Sequence, residues 1–280
     1  MRSNLESDPL SDLLVVKLGG GSGNRPEPVL DDLAELWHRG RHWVLVHGGS
    51  ARTDEVATAL GHPPRTLTTP AGWTSRRTDR ATALLFTMVL AGEINKGLVE
   101  GLQRRGVDAV GLSGLDGRLL EARRKSVLRV IEDGRQRVIR DDFTGVVRRV
   151  NDALLRLLMT RGHAPVVCPP AISFEHEMLN VDGDRAAAAV AAALGATDLV
   201  LLTGAPGLLR DPENTASRIG KLARGEVREA LERWARGRMR IKLLAAGEAL
   251  ERGVETVTLA ASDAERPVRR ALAGDGTVIR

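Results

Sequence analysis

Leu13-Leu14-Val15-Val16-Lys17-Leu18-Gly19-Gly20-Gly21-Ser22-Gly23 reads as an apolar strand that delivers one lysine into a glycine loop. The backbone amides of such a loop carry no side-chain shield. They can cradle phosphate oxygens while the Lys17 ammonium group counters the charge. Residue order sets this loop apart from two other phosphate loops. In the P-loop the lysine follows the glycines and precedes Ser or Thr. In the dinucleotide fingerprint a glycine stands where Asn24 does here. Alone, a strand-ending lysine before a glycine turn is as readily a plain structural element as a binding one, so the rest of the chain decides.

Working outward, apolar runs alternate with helical patterns. Val29, Leu33, Leu36 and Trp37 share one face and predict a helix over 29–39. A strand over 43–46 runs into His47-Gly48-Gly49-Ser50, and a helix over 53–60 follows. A Pro- and Thr-rich loop over 61–72 leads to a long helix over about 76–95, a short helix over about 98–105 and a strand over 109–112. The centre reads as two short strands, 127–131 and 136–140, around Asp133-Gly134-Arg135. A helix over 151–160 and a strand over 165–168 precede Asn180-Val181-Asp182-Gly183-Asp184 and an alanine-rich helix to 194. Then come a strand over 199–202, the turn Thr203-Gly204-Ala205-Pro206-Gly207, helices through 234 and over about 239–252, and a strand over 256–259. This rhythm predicts an α/β chain, a three-layer αβα sandwich with a mostly parallel central sheet. Residues 1–12 read as a loose tail and 13–280 as one domain, its lobes spanning about 13–175 and about 176–280.

Composition narrows the function. A net charge of +5 suits anionic partners, but aromatics are only 2% and no helix-turn-helix, zinc or stacking signature accompanies the charge. Nucleic acid is therefore disfavoured against acidic proteins and anionic small molecules. No apolar run approaches membrane-spanning length, and the first residues lack a signal-peptide core, so no membrane partner is expected. The single cysteine, Cys168, excludes an internal disulfide, suits a reducing cytoplasm and sits in an apolar strand where packing is its expected role. The six histidines show no close ligand pairing, so no protein-held metal is expected. Only five of the 41 basic residues are lysines, which draws attention to Lys17 and Lys242.

Four segments share one placement: Lys17–Gly23, His47–Ser50, Asn180–Asp184 and Thr203–Gly207 each follow a strand. The carboxyl ends of parallel strands line one edge, so the four can converge on one crevice. Gly48 and Gly49 supply bare amides at a helix start. Arg76, expected at the start of its helix, can clamp a carboxylate, with Arg77 as its rival. Asn180 offers a donor and an acceptor, and Asp184 either orients lysines or caps a helix. Lys242 opens a helix after Gly237-Arg238-Met239-Arg240. Two lysines with glycine amides and magnesium would meet the needs of phosphoryl transfer, in which the protein neutralises charge and does little covalent chemistry.

In Val16-Lys17-Leu18-Gly19-Gly20, Val46-His47-Gly48-Gly49, Arg76-Arg77-Thr78-Asp79, Asn180–Asp184, Val200–Leu208 and Met239-Arg240-Ile241-Lys242 the chain resembles the amino acid kinase family, in its acetylglutamate kinase branch. The resemblance runs from Leu13 to Arg280 and implies that family's fold. It implies that Lys17 and Lys242 stabilise the transferring phosphoryl group and that Asp184 holds them. Gly20, Gly48 and Gly49 would donate amides, and Arg76 and Asn180 would bind the substrate's α-carboxylate end. Gly19, Gly20, Thr203, Gly204, Gly207 and Leu208 would contact ATP, used with Mg2+. Within the branch the chain is most similar to kinases acting on an amino acid attached to a small acidic carrier protein. That closer match rests on His62-Pro63-Pro64-Arg65, Ser75–Arg80, Gly111–Leu119, Arg123-Arg124-Lys125 and Gly276–Arg280. It implies phosphorylation of the side-chain carboxylate of carrier-borne 2-aminoadipate or glutamate, with Arg123, Arg124 and Lys125 meeting the carrier. The alternatives are a kinase of free N-acetylglutamate and a non-catalytic sensor on the same fold. The tail is too short for the helix that builds hexamers in arginine-sensitive relatives, so a homodimer is implied. The loop 19–24 is richer in glycine than the family's usual form, and Gly204-Ala205 replaces a more polar pair.

Overall fold

The computed structural model describes residues 10, 12–21, 25–72, 74–132 and 134–280. Most of the expected tail, residues 22–24 of the glycine loop and residue 133 of the central turn lie outside the described residues.

Strand Leu14–Leu18 lies at the centre of an eleven-stranded sheet among the described residues. It pairs in parallel with Trp43–His47 on one side and Asp198–Thr203 on the other. The parallel run continues through Ala164–Ser173 and Ala109–Gly114 in one direction and Thr256–Ala261 in the other. These strands are almost continuously apolar, as a sheet covered on both faces requires. Side-chain alternation sorts them between two cores. Leu14, Val16, Leu18, Trp43 and Leu45 pack with helices Glu27–His38, Asn95–Gln103 and Pro267–Leu272. Val15, Val44 and Val46 pack with Asp152–Thr160, Gly183–Leu194 and Arg238–Glu251. The expected αβα sandwich with its mostly parallel sheet is what forms.

The departures lie beside the cavity. The expected loop over 61–72 contains strand Thr66–Thr68, which pairs antiparallel with Thr74–Arg76 and bridges to Leu128–Glu132 of the central hairpin. This small four-stranded sheet buries Leu67, Val130 and Ile139. Three-residue strands with one inward leucine are too short for period-two patterning to register. Arg76 is consequently on a strand, not at a helix start. The helix begins at Arg80, capped by Asp79, whose side chain accepts the Thr82 N–H at 2.8 Å.

That helix runs on without a break as Arg80–Thr87, a π-helical segment Met88–Ile94, and Asn95–Gln103, where a long helix over about 76–95 and a separate short one over about 98–105 were expected. By length and composition Arg80–Gln103 is long and apolar enough to cross a bilayer, which corrects the expectation that no apolar run approaches that length; core helices meet the same criterion. Here Phe86, Leu90, Leu98 and Leu102 are buried inside the protein. Strand Leu120–Arg124 and the edge strand Gly145–Val150 were not expected either, because charged residues interrupt both.

Candidate active site

The carboxyl ends of Leu14–Leu18, Trp43–His47 and Asp198–Thr203 open onto a cavity of about 1040 Å³. All four strand-end segments reach it, through Lys17 and Gly19 to Gly21, Gly48 to Ser50, Asn180 to Asp184, and Thr203 with Gly204. Gly207 and Leu208 are not among its walls. A Cβ on Gly207 would lie 2.6 Å from Thr277 Oγ1, and the Leu208 N–H donates to that same hydroxyl at 2.8 Å.

Strand alternation places Lys17 on the face of Val15, the face covered by helix Gly183–Leu194. Asp182 is that helix's N-cap, accepting the N–H groups of Asp184 and Arg185 at 3.0 Å each. The capping alternative for Asp184 is thereby filled by its neighbour, and Asp184 faces the lysines. Its Oδ1 lies 2.8 Å from Lys17 Nζ, and its Oδ2 lies 3.0 Å from Lys242 Nζ on the adjacent helix Arg238–Glu251. Each of the three is only 6% exposed. Burial alone would raise the Asp184 carboxyl, but the two ammonium groups outweigh it and hold the group at about 2. Burial, then repulsion from Lys17, lowers Lys242 against the pull of Asp184. Asp182 is raised by burial and by the Asp184 charge. Asp182 also pulls on both lysines, but among the described residues nine Lys and Arg side chains line the cavity against three Asp, and an excess of that sign favours an anionic ligand.

The two glycine loops meet on the same floor. A Cβ on Gly20 would fall 1.9 Å from the Gly49 nitrogen, and one on Gly49 would fall 2.2 Å from Ile94 Cδ1. The Gly48 N–H already donates to the Leu18 carbonyl at 2.9 Å, whereas the Gly49 N–H has no partner among the described residues. Of the amides expected to donate, Gly48's is therefore engaged within the protein.

Arg76 reaches the cavity from its strand, with Nη1 2.5 Å from Asp54 Oδ1 and Nη2 donating to the Ser50 carbonyl at 3.2 Å. Asn180 Nδ2 donates to Thr78 Oγ1 at 3.1 Å. Behind this wall Asp142, fully buried, accepts from the Thr78 N–H at 3.0 Å and the Thr144 N–H at 2.9 Å. Sequence reading missed both Asp54 and Asp142, since an isolated aspartate carries no signal of what it will hold. It also passed over Arg236, Arg238 and Arg240, which line the cavity beside Lys242. The left-handed Gly237 (φ 50°) at that helix start was the available clue.

The basic run divides three ways. Arg123 is exposed on its strand. Arg124 is turned inward: its guanidinium lies 3.9 Å from the Phe143 ring centre and donates to the Asp142 carbonyl at 2.9 Å and to Glu177 at 2.8 Å. Lys125 is also exposed but lines the cavity, where partial desolvation, then the nearby Arg185 charge, lowers its ammonium group. No group of three His, Cys, Asp or Glu side chains among the described residues could hold a metal ion.

The sequence model for the amino acid kinase family matches residues 12–260. The chain is 51% identical over 267 residues to the [LysW]-aminoadipate kinase of Deinococcus radiodurans, covering 95% of this chain and 91% of that protein. It is 50% identical over 270 residues to the [LysW]-aminoadipate kinase of Thermus thermophilus, covering 96% of this chain and all of that protein. Among solved structures it is similar to N-acetylglutamate synthase from Neisseria gonorrhoeae complexed with coenzyme A and N-acetyl-glutamate, with TM-score 0.76 and 28% identity. That match covers 96% of this chain and 59% of that longer protein.

Proposed function

The chain belongs to the amino acid kinase family, and from that membership we propose that it phosphorylates the side-chain carboxylate of 2-aminoadipate carried on a LysW-type acidic protein, with ATP as donor, in lysine biosynthesis. The observation that carries this reading is the full-length similarity, at half identity, to two carrier-dependent kinases. The cavity supplies chemistry to match.

In this reading an oxygen of the ionised side-chain carboxylate attacks the γ-phosphorus of ATP. The bond from that phosphorus to the β,γ-bridging oxygen breaks, ADP leaves, and an acyl phosphate remains, with no proton to move. Lys17 and Lys242 offset charge on the transferring group and the leaving oxygen, and Asp184 keeps the two ammonium groups together. The Gly20 and Gly49 amides face the phosphoryl oxygens. Arg76 and Asn180 take the α-carboxylate end, while Thr203 and Gly204 meet the nucleotide from the C-terminal lobe. Asp184 is spanned by lysines and Asp182 caps a helix. Magnesium, which supplies charge neutralisation, would accordingly enter on the nucleotide's phosphates.

The carrier is expected at the basic rim, with Arg123 outside and Lys125 within, where opposite charge speeds encounter. We propose a homodimer built on the exposed face of Arg80–Gln103, where Leu84 and Met88 are 52% and 55% exposed. The cytoplasm suits the chain: Cys168 is a buried thiol, pushed up to about 12 by burial, and is inert there.

The test is ATP turnover with magnesium on carrier bearing aminoadipate, on carrier bearing glutamate and on free N-acetylglutamate, with the acyl phosphate trapped by hydroxylamine. The reading expects hydroxamate from loaded aminoadipate carrier. Hydroxamate from free N-acetylglutamate alone would overturn it.

A further inference from the structure

His47 ends strand Trp43–His47 and is 1% exposed, yet phosphoryl transfer gives it no task. Its Nδ1 lies 3.0 Å from the Gly48 carbonyl oxygen, and its Nε2 lies 3.1 Å from Asn95 Nδ2. A carbonyl only accepts, so Nδ1 carries the proton and Nε2 accepts from the Asn95 amide. The orientation of Asn95 is fixed in turn. Its Nδ2 also donates to the Val166 carbonyl at 3.0 Å, and its Oδ1 accepts from Lys96 Nζ at 3.2 Å. Turning the amide over would set oxygen against the Val166 carbonyl. Gly111 admits this arrangement, since a Cβ there would lie 1.9 Å from Asn95 Oδ1. Burial drives the imidazole down to about 4, so the ring is neutral at physiological pH.

In a trans peptide the C=O and the following N–H point in opposite directions. Holding the Gly48 carbonyl against the imidazole therefore turns the Gly49 N–H the other way, toward the cavity and Gly20. We propose that His47 is a positioning residue, its Nδ1–H fixing the Gly48–Gly49 peptide so that the Gly49 amide is presented to the phosphoryl oxygens, with Asn95 selecting the tautomer. The assignment rests on the kinase reading but not on which carboxylate is the acceptor.

Two variants separate the proposed hydrogen bond from simple packing. His47→Asn keeps an N–H near the Nδ1 position, whereas His47→Gln keeps a polar group toward Asn95 but no donor to Gly48. The expected result is a kcat about 100-fold lower for His47→Gln, the scale of one lost oxyanion donor, with KM for ATP little changed. His47→Asn should recover most of that loss. Nitrogen NMR of the unmodified protein should show a neutral Nδ1–H imidazole, and ATP should shift the Gly49 amide resonance in the wild type but not in His47→Gln. An Nε2–H tautomer, wild-type kcat in His47→Gln, or equal impairment of both variants would each overturn the proposal. The tautomer and the amide shift are read without any acceptor, so failure of the carrier assay leaves them standing as a separate result.

Discussion

Gly20 and Gly49 touch backbone to backbone: a Cβ on Gly20 would lie 1.9 Å from the Gly49 nitrogen and 2.4 Å from its Cα. No rotamer change relieves a clash with main chain, so the two strand-end loops can be this close only while residue 20 is glycine. Gly20→Ala should therefore lower both the melting temperature and kcat, the latter by about 100-fold if one amide is lost. Gly21→Ala, whose Cβ among the described residues meets only the tip of Arg238 at 4.0 Å, should melt with the wild type. Thermal melts and steady-state kinetics on the pair decide it. Equal melting temperatures would mean that the loops part more easily than the contact implies.

Asp184 is the hinge of a second expectation. Lys17→Met and Lys242→Met each leave a paired lysine and carboxylate, so both should fold while losing phosphoryl transfer. Asp184→Ala leaves two buried ammonium groups facing each other, and removing one partner of buried ions costs about 3–5 kcal/mol. The sign with pH follows from the carboxyl, which titrates at about 2 when folded and near 4 when unfolded. Its contribution of about 2–3 kcal/mol is present above pH 4 and is lost as pH falls through 2. Urea midpoints measured from pH 5 downward should show that loss in the wild type and not in Asp184→Asn.

His47 gives a dependence at higher pH. Its folded value of about 4 lies below the unfolded value near 6.5. Between those values the unfolded chain binds the extra proton, so stability drops as pH falls through the window. Replacing His47 by Asn should flatten the denaturation midpoint between pH 6.5 and 4. A slope unchanged by the substitution would assign that window to other groups.

The central strand shows why so much of the fold was legible. Nearly continuous apolar runs through Leu14–Leu18 and Trp43–His47 mark strands covered on both faces, and the parallel order then brings Lys17, Gly48 and Thr203 to one edge. What stayed hidden depends on pairing at a distance. Arg76 sits on a strand because Thr66–Thr68 is there to pair with it, and no local pattern announces a partner. Asp54 and Asp142 act through residues that the fold brings to them, so neither could be weighed from its neighbours in sequence. Arg124 looked like a surface charge until Phe143 and Glu177 closed on it.

The helix Arg80–Gln103 carries a prediction on assembly. Leu84 and Met88 are four residues apart, one turn on the same face, and both are more than half exposed. Burying two such side chains against a second copy removes apolar area that a lone chain leaves in water. Sedimentation of the wild type should give twice the chain mass, and Leu84→Glu with Met88→Glu should give the single chain. A wild type that sediments as one chain at all concentrations rules out this interface.

Arg76 is held at two points before any ligand arrives, by the Asp54 carboxylate and by the Ser50 carbonyl. Its guanidinium is a rigid fork, so these contacts fix how the remaining N–H groups meet a carboxylate in the cavity. A lysine keeps the charge but has no fork to orient. Arg76→Lys should therefore raise KM for the amino-acid substrate by about tenfold or more, the scale of one charge-assisted hydrogen bond, while kcat changes less. Asp54→Asn leaves Arg76 in place but loosens one anchor, so its effect should run in the same direction and be smaller. KM for ATP should stay put in both. If Arg76→Lys instead lowers kcat with substrate KM unchanged, Arg76 acts on the phosphoryl group rather than on the substrate's carboxylate end.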